Sequence, residues 1–152
     1  MNFSHEFLKN IKQMSKKTLF AFIIALSGFF TANAQCDSIA SLCRKNISAD
    51  YISDGQSYRA LLVNQEIAEF SATFFGGSTY RMAACSGFSD GNLIFSIYDQ
   101  ERNLLFTNSE HKNAPYWDFK LNSTLNCTIE AQLNSTGGAS GCAVLLVGFK
   151  QK

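Results

Sequence analysis

Ile67-Ala68-Glu69-Phe70-Ser71-Ala72-Thr73-Phe74 is the stretch on which the fold turns. Ala68, Phe70, Ala72 and Phe74 alternate with Ile67, Glu69, Ser71 and Thr73, and successive strand side chains point to opposite faces, so one face is dry and the other mostly wet. Gly76-Gly77 ends the run. The period of two continues downstream. Tyr80, Met82 and Ala84 share one side of 78–85, and Leu93, Phe95 and Ile97 mark the next strand. Polar Asp99-Gln100-Glu101-Arg102-Asn103 turns the chain into Leu104-Leu105-Phe106-Thr107. A second polar loop, 108–115, precedes 116–121, and Leu125, Cys127, Ile129, Ala131 and Leu133 then form an unbroken apolar face. Residues 142–149 are nearly all apolar, the composition of a central strand covered on both faces. With 56–63 added there are about eight strands. A single proline and no long helix in this region predict an all-β fold over 56–152, an antiparallel β-sandwich of jelly-roll or Greek-key type.

Upstream, the period changes. Ile39, Leu42, Cys43 and Ile47 recur at spacings of three and four, so the leader 35–55 reads as partly helical. Lys16 and Lys17 precede an apolar run from Leu19 to Phe30, and Ala32-Asn33-Ala34 offers the small residues a signal peptidase requires. Residues 1–34 therefore read as a signal peptide, with Met14 as an alternative start. Twelve apolar residues rise about 18 Å as a helix, short of the roughly 30 Å hydrocarbon core, so no membrane span is expected after signal removal. The whole chain of 152 residues carries a formal charge of +1, but Lys9, Lys12, Lys16, Lys17 and Glu6 all fall in the signal peptide. Beyond residue 34, acidic residues outnumber basic ones by two. That balance lacks the basic footprint of a nucleic-acid partner. The expected location is secreted or periplasmic.

Four stretches carry a family resemblance: Phe70-Ser-Ala-Thr-Phe-Phe-Gly-Gly-Ser-Thr-Tyr80, Gly91-Asn-Leu-Ile-Phe-Ser-Ile-Tyr-Asp99, Asn103-Leu-Leu-Phe106 and Gly141-Cys-Ala-Val-Leu-Leu-Val147. Together they resemble the bacterial pre-peptidase C-terminal domain over 66–149. The chain is also similar to small cysteine-containing secreted proteins of Gram-negative bacteria that carry this domain alone. The resemblance implies a small β-sandwich on an exported protein. The chain departs from the domain family in its cysteines and in having no attached protease.

Five cysteines, Cys36, Cys43, Cys85, Cys127 and Cys142, suit an oxidising compartment but leave one over. Each strand reverses the chain, so counting reversals predicts which cysteines share an end of the sandwich. Four strands separate Cys85 from Cys142, favouring that pair. If 56–63 and 67–74 form a hairpin, the leader reaches the end where Cys127 begins its strand, favouring Cys43 or Cys36 with Cys127. Cys127 with Cys142 is disfavoured, because in an adjacent hairpin they would lie at far ends, beyond the roughly 7 Å Cα limit.

Chemistry-bearing motifs are few. Gly87-Phe88-Ser89-Asp90-Gly91 matches the nucleophile-elbow pattern, with Asp99 and His111 following. That elbow needs a strand before it and a helix after it, whereas 92–98 alternates as a strand, so no catalytic residue is assigned. His111 is the only histidine beyond the signal, and no Cys-x-x-Cys or His-x-x-x-His spacing exists, so neither a metal site nor a cofactor is expected. Oxygen-bearing residues at Asp90, Asn92, Ser109, Glu110, Asn113 and Asp118 match no calcium loop. Aromatic residues are the stronger lead. Tyr116 and Trp117 adjoin the polar loop holding His111, with Tyr98 as a neighbour, and aromatic rings beside amides and carboxylates are suited to stacking on sugars. Alternation places Trp117, Phe119 and Leu121 inward, leaving Tyr116 outward. The sequence thus reads as an exported non-catalytic binding or accessory module whose partner is a protein or a glycan at the cell surface. A lectin-like glycan-binding sandwich is the alternative, with a minimal secreted hydrolase behind it.

Overall fold

A computed structural model describes residues 31–87, 89–134 and 140–151, with side chains from Cys36 to Lys150. The apolar run 19–30 lies outside the described residues. Helix α1 (Thr31–Cys43) is followed by a 3₁₀ turn (Arg44–Asn46). Eight strands then follow: β1 (Ile52–Val63), β2 (Ile67–Phe74), β3 (Ser78–Cys85), β4 (Leu93–Tyr98), β5 (Leu104–Thr107), β6 (Tyr116–Lys120), β7 (Leu125–Leu133) and β8 (Ser140–Gln151). The strands form two four-stranded antiparallel sheets, sheet A ordered β1-β8-β3-β6 and sheet B ordered β2-β7-β4-β5. This is the strand order of a jelly roll, a β-sandwich as the alternation predicts.

The inward faces match the sequence pattern. Ala72 and Phe74 of β2, Tyr80, Met82 and Ala84 of β3, Leu93, Phe95 and Ile97 of β4, and Cys127, Ile129 and Ala131 of β7 are buried in one core with Ala143, Leu145 and Val147 of β8. The other face of β8 is buried as well, because Val144 and Leu146 lie under the leader. Cys36, Ile39, Ala40 and Cys43 fall at i, i+3, i+4 and i+7 of α1 and pack on Ala83, Cys85, Cys142, Val144 and Leu146. Leu42, expected on the buried stripe, is instead 42% exposed, and Cys36 and Ala40 complete the stripe. The leader then continues down the sheet. Ile47 and Tyr51 lie over Gly148, where an added Cβ would come within 3.3 Å of Ile47 and 3.0 Å of Tyr51, so a larger residue would push the leader off by a few tenths of an ångström.

Several expected pairings do not hold. The first strand begins at Ile52 rather than at 56, with a register irregularity between Ser53 and Ser57. β1 and β2 are not a hairpin, since β1 pairs with β8 and β2 with β7. β7 and β8 likewise belong to opposite sheets, and only β4 and β5 form the expected hairpin.

The disulfides differ for a related reason. Cys36 bonds Cys142 and Cys43 bonds Cys85, with Cα–Cα distances of 5.4 and 5.8 Å. Cys127 is free and buried. Cys85 and Cys142 do share an end and an outer face, but Cys85 stands opposite Val144, two residues out of register with Cys142. Helix α1 lies over both, and its two cysteines, seven residues apart and so two turns along one face, take one each. Cys127 lies on the inward face of the opposite sheet, where no leader cysteine can reach it. Which face a cysteine occupies overrides which end it occupies.

Candidate functional site

The β5–β6 side of the sandwich carries the chief aromatic candidates. After Thr107 the chain forms a 3₁₀ turn (Asn108–His111), capped by the Thr107 hydroxyl. Asn108 is fully buried and fixes the whole loop. Its side-chain oxygen accepts from the Phe95 amide at 2.9 Å, and its amide nitrogen donates to the Leu93 and Ala114 carbonyls at 2.9 and 3.1 Å. The β4–β5 pairing runs only from Ser96 to Tyr98, so the Asn108 side chain satisfies backbone groups of β4 that lie beyond the end of β5. A loop asparagine gives no signal of this in sequence.

The loop places His111 against Trp117, with ring centroids 4.2 Å apart, and against Phe106 at 5.3 Å. Phe106 also meets Trp117 and Phe119 at 5.2 and 5.1 Å, so these rings close the seam between the two sheet edges. Trp117 is only partly buried but packs on the core, as alternation predicts. Exposed Leu104, Leu105 and Tyr116 flank this seam. A shallow depression of about 450 Å³ is lined by Ala114, Pro115, Tyr116, Trp117 and Asp118.

Tyr116 points outward, yet one ring face is occupied. The Arg81 guanidinium lies 4.3 Å from its centroid and 4.6 Å from that of Tyr51. Arg81 also donates two hydrogen bonds to Asp118, at 2.7 and 2.9 Å, and this pair holds the Asp118 carboxyl below its ordinary range. Tyr51 is raised, mainly by burial. Its hydroxyl feels the Asp118 carboxylate but makes no hydrogen bond of ordinary geometry among the described residues. The stack pins the end of the leader onto β3 and β6. Tyr98 is elsewhere, on the outer face of sheet B beneath Arg102, whose guanidinium is 5.0 Å from its centroid and bonds Glu130. His111 and Trp117 thus meet, Tyr116 is adjacent but engaged by Arg81, and Tyr98 belongs to another surface.

Ser89, Asp99 and His111 do not come together as a triad. Ser89 precedes β4 and Asp99 follows it, so a six-residue strand, about 17 Å at ordinary strand rise, separates them. Asp99 accepts from Asn103 within its own turn at 2.8 Å. No group of three or more metal-ligating side chains occurs among the described residues. Cys127 is no activated thiol, because burial pushes its pKa up to about 11.

No family model matches the chain, and no curated protein does. Among solved structures, the chain is similar to the periplasmic inhibitor of g-type lysozyme, PliG, of Aeromonas hydrophila. The identity is 13% and the TM-score 0.48, over 65% of this chain and 91% of that one.

Proposed function

We propose that this protein acts outside the cytoplasm as a non-catalytic binding module, and that its β5–β6 side meets a protein partner. The observation that carries this reading is the fixed apolar and aromatic fringe at that side. Leu104, Leu105 and Tyr116 stay 41–50% exposed at two sheet edges, around a loop made rigid by a fully buried asparagine. A rigid scaffold bearing exposed aromatic and leucine side chains lowers the ordering cost of association and supplies anchor residues. The unpaired edges of β5 and β6 add backbone donors and acceptors. Export is supported by the two disulfides and the basic-then-apolar N-terminal segment. The non-catalytic reading is supported by the strand that keeps Ser89 from Asp99. The glycan alternative at Tyr116 is less well served, since Arg81 already covers one face of that ring.

Photocrosslinking in intact cells tests this. A photoreactive residue at Leu105 or Tyr116 should capture a discrete partner, while one at Glu69, on the outer face of sheet B, should not. Equal capture from all three positions, or turnover of ester or peptide substrates abolished by Ser89→Ala, would overturn the proposal.

A further inference from the structure

Among the described residues, nothing covers the outer face of sheet B as the leader covers sheet A, and at the β2–β3 end that face holds a distinct groove. There a depression of about 470 Å³ is bordered by Ser71, Thr73, Phe75, Gln100, Asn126 and Thr128. We propose that this groove binds a neutral saccharide, with Phe75 as its stacking platform. The inference rests on the reading of the chain as an exported binding module and names a ligand class for a second surface of it.

Three observations converge. First, the hydrogen-bonding groups at the groove are hydroxyls and carboxamides, and no carboxylate, ammonium or guanidinium lines it. The one titratable residue along it, Cys127, turns its thiol to the inward face of sheet B. A surface of this kind offers no opposite charge to a phosphate, a carboxylate or a cation, and it matches the mixed donor and acceptor pattern of sugar hydroxyls. Second, Phe75 is 65% exposed at the rim of that groove. A ring left in water beside hydroxyls and amides presents the apolar face on which a pyranose stacks. Third, the platform and the polar row are held in place before any ligand arrives. The Phe75 amide donates to the Tyr80 hydroxyl at 2.9 Å, and the following Gly76 sits so close to the 122–123 backbone that an added Cβ would be 2.8 Å from Ser123. Thr73 donates its hydroxyl to the Asn126 side-chain oxygen at 2.8 Å, and among the described residues the Asn126 amide hydrogens meet no acceptor, so they can donate to a ligand. Thr73 and Asn126 are cross-strand partners, as are Ser71 and Thr128, so the polar groups form two registered rows beside the ring.

The test is a titration of the oxidised exported chain with cellohexaose, maltohexaose and chitohexaose, followed by amide chemical shifts, with polygalacturonate as the charged control. At least one neutral oligosaccharide should shift the amides of Thr73, Phe75 and Asn126, and polygalacturonate should not. Phe75→Ala should weaken that binding roughly tenfold, the scale of one lost stacking contact, while leaving the thermal midpoint nearly unchanged because the ring is exposed. Asn126→Ala should also weaken it. Silence with all three neutral oligosaccharides, shifts confined to the Tyr116 side, or binding indifferent to Phe75→Ala would overturn the saccharide proposal. Those failures would leave crosslinking from Leu105 intact. Cleavage of a bound oligosaccharide would instead overturn the non-catalytic reading itself.

Discussion

Replacing Asn108 tests how the β5–β6 side is built. Its side chain makes three hydrogen bonds with backbone groups, two of them fully buried. Asn108→Ala leaves the Phe95 amide and the Leu93 carbonyl without partners inside the sandwich, and exposes the partly buried Ala114 carbonyl to competition from water. A buried group deprived of its partner costs about 1–3 kcal/mol, so a total loss of about 3 kcal/mol is expected. In a folded unit of about 120 residues that corresponds to a fall of roughly 12 °C in Tm. Asn108→Asp gives a sharper readout. One carboxylate oxygen still accepts from Phe95, but the other faces the Leu93 and Ala114 carbonyls with no hydrogen to donate, so burial and repulsion raise its folded-state pKa above the unfolded value near 3.9. The folded state then holds the proton more tightly, so this variant keeps most of its stability below about pH 4. It loses ground to the wild type as pH rises toward the folded-state pKa. Urea unfolding of both variants and the wild type between about pH 3 and 7 measures the differences. An Asn108→Ala loss below about 1 kcal/mol, or an Asn108→Asp difference that is flat with pH, would refute the claim that this side chain completes the β4 backbone.

Three further outcomes follow from the leader and the core. Replacing Cys43 and Cys85 together by Ser opens a loop of 42 residues and should cost up to about 4 kcal/mol by loop-closure entropy, with faster amide exchange at Ala83 and Leu146, read by mass spectrometry. Asp118 has a depressed folded-state pKa because of Arg81, so its contribution is present above about pH 4 and lost as pH falls through that depressed value. At 41% exposure the contribution is below about 1 kcal/mol, and Asp118→Asn should flatten this acid limb in urea melts. Cys127 should resist iodoacetamide in the folded protein and react on unfolding, since it is both buried and fully protonated at neutral pH.

Much of the fold was legible because burial follows strand parity. The dry face Ala68–Phe74, the five-position face of β7 and the two-sided burial of β8 were all visible as apolar spacing. Partner choice was not. The short turn at Asn64, Gln65 and Glu66 reads as a hairpin, but parity says only which way a side chain points, and the chain crosses there to the other sheet. The cysteine pairing was decipherable in principle. Alternation already placed Cys127 on the dry face with Ile129, and the spacing of seven already placed Cys36 and Cys43 on one helical face, but counting strand ends ignored both.

The candidate site was less legible. Trp117 inward and Tyr116 outward came from alternation, whereas the grip of Arg81 on Tyr116 depends on β3 pairing with β6, which no local pattern discloses. Asn108 looks like any polar loop residue until the end of β5 leaves a β4 amide unpaired. Phe75 looks like the last residue of a strand, and its exposure follows from the turn that Gly76 and Gly77 make next to it.

An oxidised leader locked across sheet A leaves recognition to the surfaces it does not cover. Peptide mapping of the exported protein under non-reducing conditions tests this directly. Peptides joining Cys36 to Cys142 and Cys43 to Cys85 are expected, with Cys127 recovered as a thiol. A Cys85–Cys142 bridge, or any bridge to Cys127, would contradict it.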